Sequence, residues 1–196
     1  MGSVSYFPER ACESPAAGQA ALRMKLRPLL LSMTLLSALF GFLTTANASL
    51  KEGDVAPTVA GLTDEGKTLN LGEVYKQNNY TVVWFYPKAL TGGCTAQGCS
   101  LRDAAAELKK HGAAVVGVSV DTVEKQKEFK AVNNFPFPLL ADTDKSIVKA
   151  FGQGDRNMAA RECYVINKEG KIIYKDTGVT EKQAENVLAF LAKQKA

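Results

Sequence analysis

One stretch of the chain constrains the fold more than any other: an apolar run that ends at a proline and is followed by a helix-forming run. Residues 80–86 are nearly all apolar or aromatic, which is typical of a strand buried on both faces of a sheet. The run stops at Pro87, and residues 100–110 have the composition of a helix. Cys94 is therefore predicted to lie where a strand gives way to the first turn of a helix.

A cysteine at the start of a helix has a chemical advantage. The first amides of a helix have no partner within it and favour negative charge, so they stabilise the thiolate, which is the nucleophilic form of cysteine. Pro87, Thr91 and Cys94 stand in the order P-x-x-x-T-x-x-C, and Cys99 follows. Two small buried cysteines beside a turn would be the plain structural interpretation. The frame in which Cys94 stands favours a reactive thiol instead.

This frame resembles that of peroxiredoxins of the alkyl hydroperoxide reductase/thiol-specific antioxidant family, and in particular the bacterioferritin-comigratory (Q-type) subfamily. The subfamily reads roughly F-Y-P-K-x-x-T-P-G-C-T-x-E-x-C-x-F-R-D, and residues 85–103 match it at F-Y-P-K, T, G-C-T, C and R-D. Further blocks match in the same order at residues 52–57, 117–121, 137–142 and 161–172. The resemblance thus covers most of the chain after residue 48.

The resemblance implies an activity and a set of site residues. It implies a thiol-dependent peroxidase that reduces hydrogen peroxide and organic hydroperoxides and serves antioxidant defence and redox homeostasis. Cys94 would be the peroxidatic cysteine, oxidised to a sulfenic acid, and Cys99 the resolving cysteine that forms an intramolecular disulfide with it. Thr91, Arg161 and Pro87 would surround the thiolate. A thioredoxin-like dithiol would be the reductant.

The spacing of the two cysteines raises a geometric problem. Five positions along one helix separate two Cα atoms by about 8–9 Å, whereas a disulfide needs less than about 7 Å. If Cys94 and Cys99 lie in one intact helix, that helix must unwind locally before they can bond. Gly92, Gly93 and Gly98 would ease the unwinding.

The chain departs from the subfamily pattern at three positions. Gly92 replaces the usual proline, Gln97 replaces a glutamate and so removes a carboxylate that could pair with an arginine, and Cys163 stands where threonine is common. Cys163 is expected to face the interior of a strand as a structural residue. In an oxidising compartment a third thiol could mispair, so its role stays open.

The order of elements predicts an α/β thioredoxin-like fold with a central mixed β-sheet flanked by helices. Strands are expected at residues 58–61, 68–71, 81–86 and 113–120, and a short one at 137–141, whose flanking prolines favour a sheet edge. Helices are expected at 95–110, 122–133 and 142–151. A hairpin around residues 168–170 precedes a last amphipathic helix at 180–195, where Thr180 and Gln183 resemble a capping box.

The first 48 residues resemble a leader rather than part of the domain. A basic start at Lys25 and Arg27, an apolar stretch at 29–43 and the pattern Ala46-Asn47-Ala48 are typical of a signal peptide. We therefore expect a leader at 1–48, with its signal peptide at 24–48, and one domain at 49–196. The protein would be exported, to the bacterial periplasm. An uncleaved membrane anchor is the alternative.

Composition excludes several other functions. The formal net charge is +4, and the leader contributes +2 of it, so the domain carries +2, which argues for neither nucleic acid nor stable membrane association. His111 is the single histidine, is expected to face solvent, and leaves no cysteine–histidine cluster with metal spacing. We expect no cofactor and no metal, and a monomer or weak homodimer.

Two rival functions have some support from the sequence. An exported thioredoxin-like thiol–disulfide oxidoreductase would share the fold, but it normally uses C-x-x-C, and four residues separate Cys94 from Cys99. It would also place a proline before the strand that Arg161 opens, and none is present. A non-enzymatic domain with a dead site would not retain Cys94, Thr91 and Arg161 together.

Overall fold

The computed structural model describes residues 49–178 and 180–194. The predicted leader at 1–48 lies outside the described residues. Within the described ranges, no helix is both long and apolar enough to cross a bilayer. In chain order the elements are β1 (Ala60–Thr63), β2 (Thr68–Asn70), α1 (Leu71–Gln77), β3 (Tyr80–Phe85), α2 (Gly92–Asp103), α3 (Ala105–Lys110), β4 (Ala113–Ser119), α4 (Val123–Asn133), β5 (Leu139–Ala141), α5 (Ser146–Ala150), β6 (Glu162–Asn167), β7 (Ile172–Thr177) and α6 (Gln183–Lys193).

The strands form one mixed sheet in the order β2-β1-β5-β4-β3-β6-β7. β3 pairs with β4, and β4 with β5, in parallel, whereas β1–β2, β1–β5, β3–β6 and β6–β7 are antiparallel. β3 lies inside the sheet and is buried from Thr81 to Phe85, as its apolar sequence predicts. The loop that follows β3 therefore begins at a strand that is buried inside the sheet.

Two apolar layers, one on each face of the sheet, form the core. Trp84 and Cys163 belong to one layer, beneath residues of α2, α3, α4 and α6. Val83 and Phe85 belong to the other, beneath α1 and α5. Because successive side chains of a strand point to opposite faces, the alternation along β3 separates the two layers. Cys94 packs into the layer of Trp84.

The prediction of β5 as an edge strand is wrong. β5 lies between β1 and β4, well inside the sheet. The prolines at 136 and 138 precede the strand rather than interrupt it, so no ladder N–H is lost. Pro138 even contributes its carbonyl, which accepts a hydrogen bond from the Gly117 amide at 3.0 Å.

α5 and α6 are shorter than the helices expected at 142–151 and 180–195. Two larger differences concern α1 and α2. α1 was not predicted, although Asn70 supplies a typical N-cap by accepting from the Gly72 amide at 2.8 Å. The predicted helix at 95–110 is two helices that meet at Ala104, whose φ of −91° and ψ of 0° are not helical. Alanine favours helix, so local propensity does not explain this break.

His111 does not face solvent as expected. It ends α3, but its side chain is only 13% exposed, with Nε2 3.9 Å from an oxygen of Glu107. In the described residues, no group of metal-binding side chains is placed to hold an ion.

Candidate active site

The loop from β3 to α2 turns the chain sharply toward the helix that carries Cys94. Pro87 lies two residues after the last residue of β3 and is half-buried. Leu90 adopts a φ of +64°, which is unusual for a residue with a Cβ. Thr91 is the N-cap residue by backbone position, yet its hydroxyl caps no helix amide and donates instead to the Lys88 carbonyl at 2.9 Å.

A half-buried carboxylate, that of Asp121, holds this loop. The Ala89 amide donates to Oδ2 of Asp121 at 2.8 Å, and the Ser119 hydroxyl donates to the same oxygen at 2.7 Å. Gln126 in turn donates to Ser119 Oγ at 2.9 Å and accepts a hydrogen bond from the Tyr86 hydroxyl. Asp121 lies in one of the matching sequence blocks, but the resemblance assigns it no role at the site.

Cys94 lies in the first turn of α2, where the structure places it as predicted. Its residue is 1% exposed and packs into the apolar layer of the sheet. The first amides of a helix have no helical partner and carry partial positive charge, so they can stabilise negative charge that develops beside the first turn.

Arg161, directly before β6, lies against Cys94. Its Nη2 is 3.4 Å from Cys94 Sγ, and its Nη1 donates to the Gly93 carbonyl at 3.2 Å. A Cβ built on Gly93 would lie 3.3 Å from Nη2, so glycine at this position lets the guanidinium approach closely. The structure thus brings together two residues that are 67 positions apart in the sequence.

Gln97 also contacts Arg161. Its Oε1 accepts from Arg161 Nη1 at 2.8 Å, and its Nε2 donates to Gln183 at 2.8 Å. Gln97 lacks the carboxylate of the subfamily pattern, but it still supplies a partner for arginine, because its amide oxygen accepts the hydrogen bond. The predicted capping box is wrong: the N-cap residue of α6 makes no side-chain cap, and the Gln183 side chain is buried against Gln97 instead.

The comparisons with known proteins agree on one family. The AhpC/TSA family model matches residues 53–175. The chain belongs to the AhpC/TSA family. It is 38% identical over 131 residues to Peroxiredoxin Bcp of Escherichia coli (strain K12), covering 63% of this chain and 83% of that protein. It is 35% identical over 152 residues to the chloroplastic Peroxiredoxin Q of Populus jackii, covering 75% of this chain and 70% of that protein.

Solved structures of the family share the fold. Peroxidoxin BcpB from Mycobacterium tuberculosis superimposes with a TM-score of 0.69 at 30% identity, covering 74% of this chain and 97% of that chain. Peroxiredoxin Q from Xanthomonas campestris superimposes with a TM-score of 0.64 at 28% identity, covering 70% of this chain and 92% of that chain. The thioredoxin-like fold is confirmed, and the protein is a peroxiredoxin, a thiol-dependent peroxidase. The thiol–disulfide oxidoreductase alternative is not favoured.

Within this family member, Cys99 lies in the same unbroken helix as Cys94. Cys99 is half-buried, with Sγ 3.9 Å from Oδ1 of Asn133, and both thiols are free. Since α2 runs unbroken from Gly92 to Asp103, the helical separation of about 8–9 Å applies to the two Cα atoms. The structure is that of a reduced protein whose two cysteines cannot bond without movement.

Cys163 lies in β6, opposite Trp84 on β3. It is fully buried, as expected of a strand residue that faces the interior. Burial raises the pKa of the Cys163 thiol far above its usual range, and the nearby Asp176 raises it further. A thiol that stays protonated is a poor nucleophile. This environment favours the structural interpretation of Cys163.

Proposed function

We propose that Cys94 is the peroxidatic cysteine of this peroxidase. Its thiolate attacks one oxygen of the peroxide, the O–O bond breaks, and the other oxygen leaves as hydroxide or alkoxide and takes up a proton. Sulfur is oxidised by two electrons to a sulfenic acid. The observation that carries this proposal is the Arg161 guanidinium at 3.4 Å from the sulfur of a cysteine at a helix start.

Arg161 is proposed to stabilise charge on both reacting partners. Its planar fork offers five N–H donors, so one guanidinium can hold the sulfur and a peroxide oxygen together. Gln97 and the Gly93 carbonyl already fix its orientation. Donors that are fixed before the reaction lower the barrier without reorganising.

Thr91 and Pro87 are proposed to complete the site. The Thr91 hydroxyl donates its hydrogen bond to the Lys88 carbonyl, so its lone pairs are left to accept a hydrogen bond from a bound peroxide. Pro87 has no N–H and a fixed φ, so it ends the strand and covers one side of the site without adding a competing donor.

Cys99 is proposed to resolve the sulfenic acid. Its sulfur attacks Cys94 sulfur, a disulfide forms, and water leaves. A thioredoxin-like dithiol then reduces the disulfide and returns both thiols. Because the bond is intrachain, the cycle needs no partner subunit, and a monomer or weak homodimer suffices.

Hydrogen peroxide and organic hydroperoxides are the proposed substrates. The bacterioferritin comigratory protein of Xanthomonas campestris, 27% identical to this chain, has an alkyl peroxide reduction activity. The solvent-exposed Thr91 and Gly92 border the buried Cys94. This open border supports a site that takes more than the smallest peroxide.

Export to the bacterial periplasm is part of the proposal. It is supported by the basic start, the apolar stretch and the small-x-small pattern of residues 24–48. N-terminal sequencing of the protein from its own host should give Ser49. Recovery of Met24 or Met1 from a soluble cytoplasmic pool would refute export.

One assay tests the activity. The reduced protein should consume hydrogen peroxide and fail to reduce insulin disulfides, and Cys94→Ser should abolish peroxide turnover. Insulin reduction without peroxide consumption would support the thiol–disulfide oxidoreductase instead.

A further inference from the structure

A chain of buried amides connects the catalytic arginine to Asp176 on β7, the strand that pairs with β6. Arg161 Nη1 donates to Gln97 Oε1 at 2.8 Å, Gln97 Nε2 donates to Gln183 Oε1 at 2.8 Å, and Gln183 Nε2 donates to Asp176 Oδ2 at 3.2 Å. Gln97 is 0% and Gln183 1% exposed. No solvent is therefore available to satisfy either amide if its contact fails.

The relay, which we define as Arg161, Gln97, Gln183 and Asp176, has a fixed direction. A guanidinium only donates, and a carboxylate oxygen only accepts. Between these two ends, a single orientation of each amide places a donor opposite an acceptor at every contact. Turning either glutamine over would set N–H against N–H or oxygen against oxygen in a buried site, where an unmade hydrogen bond is costly.

We propose that Asp176 and Gln183 are positioning residues for the peroxidase reaction. Asp176 fixes the orientation of the Gln183 amide, Gln183 fixes that of Gln97, and Gln97 then presents its oxygen to Arg161. The guanidinium is thereby held with Nη2 against Cys94 Sγ. This inference rests on the proposed role of Cys94 as the thiol that reduces peroxide.

Because the hydrogen bonds of the relay run in one direction, the side chains at positions 97 and 176 depend on each other. A carboxylate at position 97, which the subfamily motif has, would accept from both Arg161 and Gln183. Gln183 would then have to turn its amide, and its oxygen would face the oxygen of Asp176. An amide at position 176 removes this conflict, because its NH₂ can donate to the turned Gln183. Asn186, which donates to Asp176 Oδ2 at 2.9 Å, can turn its amide as well.

The first experiment compares rates in four proteins: wild type, Gln97→Glu, Asp176→Asn and the double variant. Stopped flow follows the reaction of each reduced protein with hydrogen peroxide, using the fluorescence of Trp84, the sole tryptophan. Gln97→Glu is expected to lower the second-order rate constant about tenfold, the effect of one mismatched buried hydrogen bond. The double variant should react about tenfold faster than Gln97→Glu, whereas Asp176→Asn alone should react no faster than wild type.

Asn186→Ala is the matched control. It removes one donor from the same Asp176 oxygen without reversing any amide, so its rate should stay within about twofold of wild type. The proposal is overturned if Gln97→Glu reacts as fast as wild type, or if adding Asp176→Asn brings no recovery.

The second experiment needs no peroxide. Urea unfolding of the same four reduced proteins measures whether residues 97 and 176 are coupled. The midpoint should fall in Gln97→Glu and recover in the double variant. Recovery of the midpoint without recovery of the rate would show a merely structural network and overturn the positioning role. A wild type that ignores peroxide would refute the function of Cys94, while the unfolding data would still decide whether the relay exists.

Discussion

At the residue scale, one guanidinium organises the site. Arg161 lies against Cys94 Sγ, the Gly93 carbonyl and Gln97 Oε1, at 3.4, 3.2 and 2.8 Å. A lysine ammonium is a single point of charge and cannot reach three such acceptors in one plane. Arginine at this position, with glycine at 93 to admit it, is what the geometry requires.

Arg161→Ala should therefore slow formation of the sulfenic acid about 10²–10³-fold, as for removal of a fixed donor to a developing charge. Stopped-flow oxidation of the reduced protein by hydrogen peroxide measures it. Arg156→Ala removes the same charge from an exposed residue nearby and should react like wild type. Equal rates in the two variants would reject the assignment of Arg161.

At the element scale, α2 holds Cys94, the proposed peroxidatic thiol, and also keeps Cys99, its proposed partner, out of reach. Its close packing depends on Gly98, where a Cβ would lie 2.4 Å from Phe135 Cζ and 3.0 Å from a ring carbon of Trp84. Gly98 is thus explained by packing as well as by its tendency to weaken a helix. The same helix must open for Cys94 to meet Cys99.

Gly98→Ala should destabilise the reduced protein by about 1–3 kcal/mol, because the methyl group overpacks the aromatic layer. Gly92→Ala is the matched substitution, since nothing lies within 4 Å of its Cβ position. It should leave stability unchanged or raise it by up to about 1 kcal/mol. Urea unfolding of both variants checks the pair, and equal midpoints would show that α2 does not pack as described.

Resolution provides a second prediction for α2. Oxidised wild type should contain a Cys94–Cys99 disulfide, formed with local loss of helix and a change in Trp84 fluorescence. Cys99→Ser should reduce one equivalent of peroxide and then stall as sulfenic acid or over-oxidise. Cys163→Ser is the control and should keep both steps. Peptide mapping that finds Cys94 joined to Cys163, or to another subunit, would contradict this mechanism.

The elements also show what the sequence could and could not predict. Local patterns placed β3 and put Cys94 in the first turn of a helix, because both depend on neighbouring residues in the sequence. The contact between Gln97 and Gln183 spans 86 positions, and no local pattern encodes it. Asn70 is a typical N-cap residue and could have predicted α1. The strand expected at 68–71 included Asn70 and so concealed this signal.

At the scale of the whole molecule, both apolar layers bury groups that can lose a proton. Burial raises the pKa of Cys163 and Tyr86 in one layer and of Tyr75 in the other. Each therefore stays protonated in the fold at a pH at which the unfolded chain ionises. The resemblance predicted the fold but not this property, which depends on packing across the sheet.

The sign of the pH effect follows from these shifts. In the unfolded chain the Cys163 thiol ionises at about pH 8.5 and the tyrosine phenols ionise at about pH 10. Above those values the unfolded state holds fewer protons than the folded state. The stabilisation from these groups is therefore fully present below about pH 8 and is lost as pH rises. The free energy of unfolding falls by up to about 1.4 kcal/mol per pH unit for each group. Urea midpoints of the reduced protein should decline from pH 8 to 10.5. Cys163→Ala should decline less between pH 8.5 and 10, because it lacks the group that titrates first. A flat wild-type profile, or the same slope in both proteins, would contradict the burial of these groups.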